Sequence, residues 1–137
     1  MNRRQIALGL PALAMAGLAA PGFAPPSAPL AAAVKGAQRS ATNTARDAFR
    51  HPAETLAFWG LAPGMTVVEI DPAGGYWTEI LAPFAKATGG RYVAALGDEG
   101  AAAFKARFAD QAAWGRIEIV TFSATSGPLV DRPPPIC

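Results

Sequence analysis

Prolines cluster near the two ends of this chain and confine its folded part. Four of them lie within residues 21–29, and four more lie within residues 127–137. Proline lacks a backbone N–H and fixes φ, so it is excluded from helix interiors and from central strands. The chain of 137 residues is long enough for one hydrophobic core and too short for two. The sequence therefore predicts a leader at 1–33, one domain at 34–126 and a proline-rich tail at 127–137.

The leader has the composition of an export signal. Arg3 and Arg4 precede an apolar run from Ile6 to Ala20, and residues 5–33 carry no charge. Glycines and a proline interrupt the run, so it falls short of the about 20 apolar residues that a membrane-spanning helix needs. The pattern predicts a signal peptide cleaved after Ala33 and no stable membrane span. The paired arginines resemble a twin-arginine signal, and ordinary secretion is the alternative. Either route predicts an exported, periplasmic or secreted protein.

Charge and residue counts argue against several classes of function. The formal net charge of +2 comes from Arg3 and Arg4, because the remaining residues hold ten basic and ten acidic side chains. No basic excess is left to bind nucleic acid or anionic lipid. His51 is the only histidine, which argues against a multi-histidine metal site, so no metal is expected. Cys137 is the only cysteine, which excludes an intrachain disulfide and leaves pairing between chains or an unpaired tail thiol open.

Short apolar segments alternate with helical patterns in the middle of the chain. Residues 66–70 and 91–96 are short and apolar, as buried parallel strands are. Between them, apolar residues recur at three- and four-residue spacings, which predicts an amphipathic helix. This alternation favours an α/β fold with a parallel sheet. The predicted elements are two short helices between Asn43 and Trp59, a strand at 66–70, a helix at 76–86, a strand at 91–96, a helix at 101–114 and a strand at 117–122.

Individual residues sharpen these boundaries. Pro52 suits the first position of the second short helix, where its missing N–H is harmless, and His51 is then its cap or the residue before it. Gly60 suits the position just past the end of that helix. The tryptophans fall on apolar helical stripes and are expected in the core rather than in a ligand platform. They are Trp59, Trp77 and Trp114.

The strongest functional signal is the turn after the first predicted strand. The strand carries the acid Glu69 near its end, and the turn holds Gly74 and Gly75 before the next helix begins. Glycines at a strand-to-helix turn let a ligand approach the backbone closely, and the start of a helix offers unpaired N–H groups. The alternative interpretation is that Glu69 is an ion-pair or turn acceptor.

This segment resembles the first motif of the class I S-adenosylmethionine-dependent methyltransferases. In that family an acid two places before a glycine-rich turn helps to hold the methionine part of the cofactor, and Glu69 matches it. The stretch from Arg46 to about Ala95 is more specifically similar to a family of predicted exported bacterial methyltransferases. It shares with them Arg46-Asp47, His51-Pro52, Thr55-Leu56, Phe58, Pro63-Gly64-Met65, Glu69, Pro72, Gly74-Gly75 and Thr78-Glu79-Ile80-Leu81-Ala82-Pro83.

The resemblance implies a partial Rossmann-like methyltransferase fold with three parallel strands and flanking helices. It also implies S-adenosylmethionine as the cofactor. Asp71 and Ala73 depart from the general motif, because glycines usually occur at both positions, whereas Gly75 matches the third glycine. Asp71 adds a carboxylate that either favours the sulfonium and amine or obstructs binding. The cofactor-binding residues implied in this turn are Glu69, Asp71, Ala73, Gly74 and Gly75.

An acidic pair follows the second predicted strand. Asp98 and Glu99 lie at about the spacing at which an acid binds the ribose hydroxyls in dinucleotide-binding and related folds, and Asp98 is the first choice. The alternative is a turn whose acids favour the N-terminus of the next helix. Both interpretations fit the residues.

The sequence ends soon after the third predicted strand. In a methyltransferase of this class the later strands lie beside the first one, so the resemblance implies that this chain holds the cofactor-binding half and is truncated. The first strand then forms an exposed apolar edge. Either a partner covers it, which includes self-association with a second copy, or the C-terminus folds back over it, or the sequence is a truncated or frame-altered product. The acceptor-binding residues belong to the other half, so no catalytic residue is assigned and the small-molecule or protein acceptor is unknown. Export also requires that the cofactor be loaded before transport, which the twin-arginine route permits, or be supplied outside the cytoplasm.

Three functional interpretations follow. The first is a methyltransferase, or its cofactor-binding half, that transfers a methyl group from S-adenosylmethionine. The second is a non-catalytic binder of a nucleotide or cofactor on the same scaffold, and the third is an exported interaction protein that keeps only the fold. A nicotinamide dehydrogenase is disfavoured, because Asp71 and Ala73 break the G-x-G-x-x-G pattern.

Overall fold

The computed structural model of the chain describes residues 25–123 together with Thr125 and Gly127. Four short helices precede the first strand, and helices then alternate with strands. The elements are α1 (Ala28–Val34), α2 (Ala41–Thr44), α3 (Asp47–Arg50), α4 (Pro52–Phe58), β1 (Thr66–Ile70), α5 (Thr78–Thr88), β2 (Arg91–Leu96), α6 (Asp98–Arg107), α7 (Gln111–Trp114) and β3 (Ile117–Thr121).

The strands form one parallel sheet in the order β1-β2-β3. Val68 of β1 lies opposite Val93 of β2, which in turn lies opposite Glu118 of β3. Among the described strands, β2 is therefore hydrogen-bonded on both sides and β1 on one side only. The predicted bounds of β1 and β2 are confirmed, and β3 ends one residue earlier than predicted. The fold is α/β with three parallel strands and flanking helices, which is compatible with part of a Rossmann-like fold.

The core lies where α5 packs on β2. Ile80, Leu81 and Phe84 of α5 are buried together with Tyr92 and Leu96 of β2. Each such side chain contributes on the order of 1.5–3 kcal/mol when it is fully removed from water. Thr88 is the last residue of this helix, and Gly89 follows as its C-cap with a positive φ of 71°, which glycine adopts readily. These contacts fix the start of α5, and with it the turn between β1 and α5.

Pro83 lies inside α5 and leaves one backbone carbonyl without its helical partner. Proline has no N–H, so the carbonyl of Glu79 four residues earlier cannot receive its usual bond. The side-chain amide of Gln38 donates to that carbonyl at 3.5 Å. The backbone N–H of Ser40 donates to the Glu79 carboxylate at 3.0 Å. The segment before β1 is therefore bound to α5 by polar groups as well as by apolar packing.

The structure differs from the prediction at the N-terminal boundary. Residues up to Ala33 were expected outside the fold, but Ala28–Val34 form α1, with Leu30 only 1% exposed. Pro29 is accommodated in the first turn, where no helical N–H is needed. Packed helix therefore begins before the expected boundary. The signal peptide and its cleavage after Ala33 stay predictions, and residues 1–24 of the predicted leader lie outside the described residues.

Two predicted helical regions also differ in detail. The single helix expected at 101–114 is instead α6 and α7, separated near Phe108. The carboxylate of Asp110 accepts from the N–H groups of Ala112 and Ala113 at 2.8 and 3.3 Å, so it caps the start of a new helix. The two short helices expected between Asn43 and Trp59 are three, α2 to α4. Pro52 does start α4, with His51 as its N-cap.

The expectation that the tryptophans are buried is wrong for Trp59. Its side chain is 63% exposed and lies 5.6 Å, between ring centres, from Trp77. Trp77 and Trp114 are half-buried and pack against the core. Within residues 25–123, no helix has the length and apolar character needed to cross a membrane.

Candidate functional site

The turn between β1 and α5, residues 71–75, has an unusual backbone. Asp71, Ala73 and Gly75 all have positive φ, at 50°, 40° and 70°. These are the three positions at which the resembled motif has glycine. Residues other than glycine rarely adopt positive φ. The left-handed conformation of an L-residue is less stable than the right-handed one by about 1–2 kcal/mol, and Asp tolerates it better than Ala. The turn therefore keeps glycine-like geometry at two positions that lack glycine.

Hydrogen bonds on one side of the turn hold it in place. The Asp71 N–H donates to the carbonyl of Ala95 in β2 at 2.8 Å, which continues the parallel ladder by one residue. The carbonyl of Gly74 accepts from Arg107 at 2.9 Å and from the Asn43 amide at 3.3 Å. Strained backbone persists where its surroundings over-determine it, and such strain clusters at ligand sites. These contacts come from α2, β2 and α6, so three parts of the fold define the turn.

The two glycines of the turn face different surroundings. A methyl group at Gly75 would lie 2.6 Å from the ring of Phe108, so this glycine is required for packing as well as for φ. A methyl group at Gly74 would meet no atom within 4 Å. Asp71, Ala73 and Gly74 are all exposed. The turn is thus packed on its inner side and has room for a ligand on its outer side.

Glu69 is half-buried and belongs to a polar cluster. Its Oε2 atom accepts hydrogen bonds from the Tyr92 hydroxyl and, at 3.1 Å, from Thr78. Burial raises the pKa of Glu69 above its ordinary value, and the two hydrogen bonds oppose that shift. Its Oε1 atom takes no hydrogen bond from the described residues. One oxygen is therefore committed to the fold, which fits the acceptor interpretation, and the other is free to accept from a ligand.

Asp98 lies at the same end of the sheet as the turn. Ile70 and Ala95 are register partners in adjacent parallel strands. The chain segments that follow β1 and β2 therefore leave the sheet at the same end, where the carboxyl ends of the strands lie. Asp98 is the first residue of α6, is exposed and follows the N-cap Gly97. Its place in the first turn of α6 fits the helix-terminus interpretation, and its place at the carboxyl end of the sheet fits the ribose interpretation.

A groove runs along β1 beside α4 and α5. Its volume is about 570 Å³, and its lining includes Trp59, Leu61, Val68, Ile70 and Trp77. Of the residues predicted to bind the cofactor, it contains Glu69 only. The structure thus brings the turn and Asp98 to one end of the sheet, whereas this groove lies along the side of β1.

Sequence reasoning missed the residues that support the turn. Asn43 of α2 and Arg107 of α6 both donate to the Gly74 carbonyl, although they are far apart in the sequence. Arg107 also forms a salt bridge at 3.0 Å with Glu79, whose side chain is buried. No local pattern marks such long-range contacts. The only signal in the sequence was Glu79, because it is an acidic residue on the apolar face of a predicted helix and no partner for it is evident from the sequence.

Comparisons with known protein families, with curated proteins and with solved structures found no match to this chain. Within the described part of the chain, no group of three or more potential metal ligands comes together. The proposed function therefore rests on the geometry of the turn and of the residues around it.

Proposed function

We propose that this chain is the cofactor-binding half of an S-adenosylmethionine-dependent methyltransferase, with an unknown acceptor. The observation that supports it is the run of positive φ angles at Asp71, Ala73 and Gly75. Keeping this shape without glycine at two of the positions has an energetic cost, and a required backbone shape at a strand-to-helix turn explains why it is kept.

The residues at this end of the sheet suit the separate parts of the cofactor. The exposed Gly74 lets the ligand approach the backbone beside the start of α5. The free Glu69 oxygen accepts from the ammonium group, and Asp71 adds a carboxylate near the positive sulfonium. Asp98 accepts from the ribose hydroxyls. The bound cofactor supplies an electrophilic methyl group, and the residues of this chain bind and orient it.

The first test is calorimetric titration of the chain with S-adenosylmethionine and, separately, with NAD. Gly74→Leu adds a side chain whose Cβ meets no atom within 4 Å, so it is expected to fill the open side of the turn, abolish binding and leave the thermal unfolding midpoint nearly unchanged. Ala87→Leu adds a similar group at an exposed position of α5 and is the matched control. Failure of the unsubstituted chain to bind S-adenosylmethionine would contradict the proposal.

Asp98 and Glu99 offer a second, internally matched test. Both are exposed and both lie in the first turn of α6. If Asp98 accepts from the ribose, Asp98→Asn weakens cofactor binding by about 10-fold, the effect of losing one hydrogen bond to a charged group. Glu99→Gln leaves the affinity unchanged. Equal affinities for the two variants would favour the helix-terminus role for Asp98.

The alternative functions give different results in the same titrations. Saturable binding of S-adenosylmethionine without methyl transfer to any supplied acceptor favours a non-catalytic binder. Binding of NAD favours a nucleotide-binding role. A folded chain that binds neither ligand favours an interaction protein that keeps only the fold.

We further propose that two copies of the chain associate through the free edge of β1. Met65 accepts from Arg91 and Asp71 donates to Ala95, so odd-numbered residues of β1 face β2. The backbone groups of Thr66, Val68 and Ile70 therefore point to the free edge, where no charged side chain or proline blocks pairing.

The free edge is self-complementary about Val68. A two-fold axis there pairs Val68 with itself and Thr66 with Ile70 of the second copy, in antiparallel hydrogen-bonded positions. Analytical ultracentrifugation should show a concentration-dependent dimer that Val68→Lys dissociates. Thr121→Lys, at the exposed last position of β3, should leave the dimer intact. A dimer unaffected by Val68→Lys would contradict this pairing.

Export stays part of the proposal and rests on the sequence of the leader alone. Fusion of residues 1–33 to a reporter that acts only outside the cytoplasm tests it. Replacement of Arg3 and Arg4 by lysine distinguishes the routes, since the twin-arginine pathway requires the arginine pair.

A further inference from the structure

Two arginines beside the turn have no acidic partner among the described residues. The salt bridges among the described residues engage Arg39 with Asp47, Arg91 with Glu118 and Arg107 with Glu79. Arg46 and Arg50 form none with a described carboxylate. Both are half-buried, so their charges lie at the protein surface without a neutralising carboxylate. An unpaired, partly desolvated guanidinium favours an anion.

Both arginines lie against the same aromatic ring. The guanidinium carbons of Arg46 and Arg50 are 5.1 and 4.7 Å from the ring centre of Tyr76, and that of Arg50 is 6.0 Å from the ring of Trp77. Stacking on an aromatic face limits the rotamers of an arginine and leaves its N–H edge free to bind. The two guanidinium groups are therefore positioned before any ligand arrives.

The ring itself is fixed and uncharged. Tyr76 is 4% exposed, and its hydroxyl donates to Asp47 at 2.7 Å. Burial and the neighbouring Asp47 raise the pKa of Tyr76 to about 12, so the phenol stays neutral in the physiological range. Asp47 is neutralised by Arg39, which binds it with two hydrogen bonds at 2.5 and 2.8 Å. The cluster keeps the two positive charges of Arg46 and Arg50.

The cluster adjoins the turn by short contacts. Tyr76 follows Gly75 directly in the chain. Arg46 donates to the Asn43 side-chain oxygen at 3.5 Å, and the Asn43 amide donates to the Gly74 carbonyl at 3.3 Å. One amide group therefore separates the Arg46 guanidinium from the backbone of the turn. The two arginines therefore lie beside the turn, on the Asn43 side and next to the start of α5.

We propose that Arg46 and Arg50 bind the carboxylate of the amino-acid end of S-adenosylmethionine. This inference rests on the proposed function and adds to it the residues that bind the carboxylate of the ligand. Arginine is suited to the role because its planar fork donates two parallel hydrogen bonds to a carboxylate. It also explains why the two guanidinium groups converge on the start of α5 without an acid of their own.

Decarboxylated S-adenosylmethionine isolates the predicted contact, because it keeps the adenosine, sulfonium and amine and lacks the carboxylate. Calorimetry should show that the unsubstituted chain binds the complete ligand about 10- to 100-fold more tightly than the decarboxylated one. The double variant Arg46→Gln/Arg50→Gln should bind both with the same affinity. Arg116→Gln, an exposed arginine next to β3, is the control and should keep the preference.

The outcomes separate this inference from the proposed function. If the double variant keeps the full preference for the carboxylate, the inference is overturned and the proposed function stands. If the variant loses affinity for both ligands equally, the arginines support the fold of the site rather than the carboxylate, which also overturns the inference. If the unsubstituted chain binds neither ligand, the proposed function fails and the inference fails with it.

Discussion

β1 and β2 are neighbouring parallel strands of similar length, yet they have different surroundings. Every residue of β2 from Tyr92 to Leu96 is buried, whereas β1 alternates between half-buried and exposed residues. Both strands are rich in apolar residues. The difference arises because β2 has a hydrogen-bonded neighbour on each side and β1 has one such neighbour among the described strands. Position in the sheet, rather than strand composition, therefore decides how much each strand contributes to the core.

The same contrast separates stability from ligand chemistry. The packed contacts of the domain centre on β2 and α5, whereas the proposed cofactor turn follows β1. Binding sites are commonly carried by turns at the end of a rigid scaffold, where exposed backbone is available. In this molecule α5 links the two regions, since its apolar face completes the core and its first residues follow the turn.

The largest effect is expected from a lysine at the centre of the sheet. Val93 and Val68 are register partners on neighbouring strands, 0% and 36% exposed. Val93→Lys buries an unpaired charge and should lower the free energy of unfolding by more than about 3 kcal/mol. Val68→Lys should change it by less than about 0.5 kcal/mol in the monomer, because its ammonium group reaches water. Urea unfolding measures both, and equal losses would remove the distinction between the strands.

The next effect concerns the inner and outer sides of the turn. Gly75→Ala places a methyl group against Phe108 and requires a left-handed alanine, so it should destabilise by about 2–3 kcal/mol. Gly74→Ala meets open space and should change stability by less than about 0.5 kcal/mol. Thermal unfolding of the two variants compares them directly. A stable Gly75→Ala variant would show that the inner side of the turn is not packed as described.

The pH dependence of stability tests whether Glu69 belongs to the packed region. A raised pKa in the folded state means that the protonated form is favoured by folding, so the contribution of Glu69 is present at acid pH and declines as pH rises through that pKa. The stability of the unsubstituted chain should therefore fall relative to Glu69→Gln between about pH 4, near the ordinary pKa of Glu, and neutral pH. Urea unfolding across this range measures the difference. A difference that is constant with pH would place the carboxylate in water.

The smallest effect is relief of strain in the turn. Ala73→Gly removes the side chain that makes a φ of 40° unfavourable and should stabilise the protein by about 0.5 kcal/mol, after allowance for the greater freedom of unfolded glycine. Ala103→Gly, at an exposed position in α6, should instead destabilise by about 0.5–1 kcal/mol. Denaturant midpoints report the two signs. Destabilisation by both substitutions would indicate that Ala73 is not strained.

The strands and the main helix followed from local patterns. Thr66–Ile70 and Arg91–Leu96 are short, mostly apolar segments, and apolar residues from Trp77 to Phe84 repeat at helical spacing, so the type of each element did not depend on distant contacts. The break between α6 and α7 was missed because a single side chain, Asp110, caps the second helix within an otherwise helical pattern. The packing of α1 was missed because its buried face consists of small apolar residues that also suit a leader.

The candidate site divides in the same way. The acid, the glycine pair and the acid after β2 were located by their places relative to the strands, and the parallel register brings them to one end of the sheet. The supporting contacts were not predictable, because Asn43 and Arg107 meet the Gly74 carbonyl from positions 31 and 33 residues away in the chain. The direction of Glu69 into the Tyr92 and Thr78 hydroxyls likewise depends on how α5 packs on β2.

By itself, the sequence determined the alternation of strands and helices, the position of the turn and the residue types available to a ligand there. These depend on local spacing, on proline and glycine, and on the period of apolar side chains, all of which act over a few residues. The tertiary structure alone decided that β1 is exposed while β2 is buried, that Asp71 and Ala73 adopt positive φ, and that Arg46 and Arg50 converge on Tyr76. Those features arise from contacts between segments distant in the chain, which no local pattern encodes.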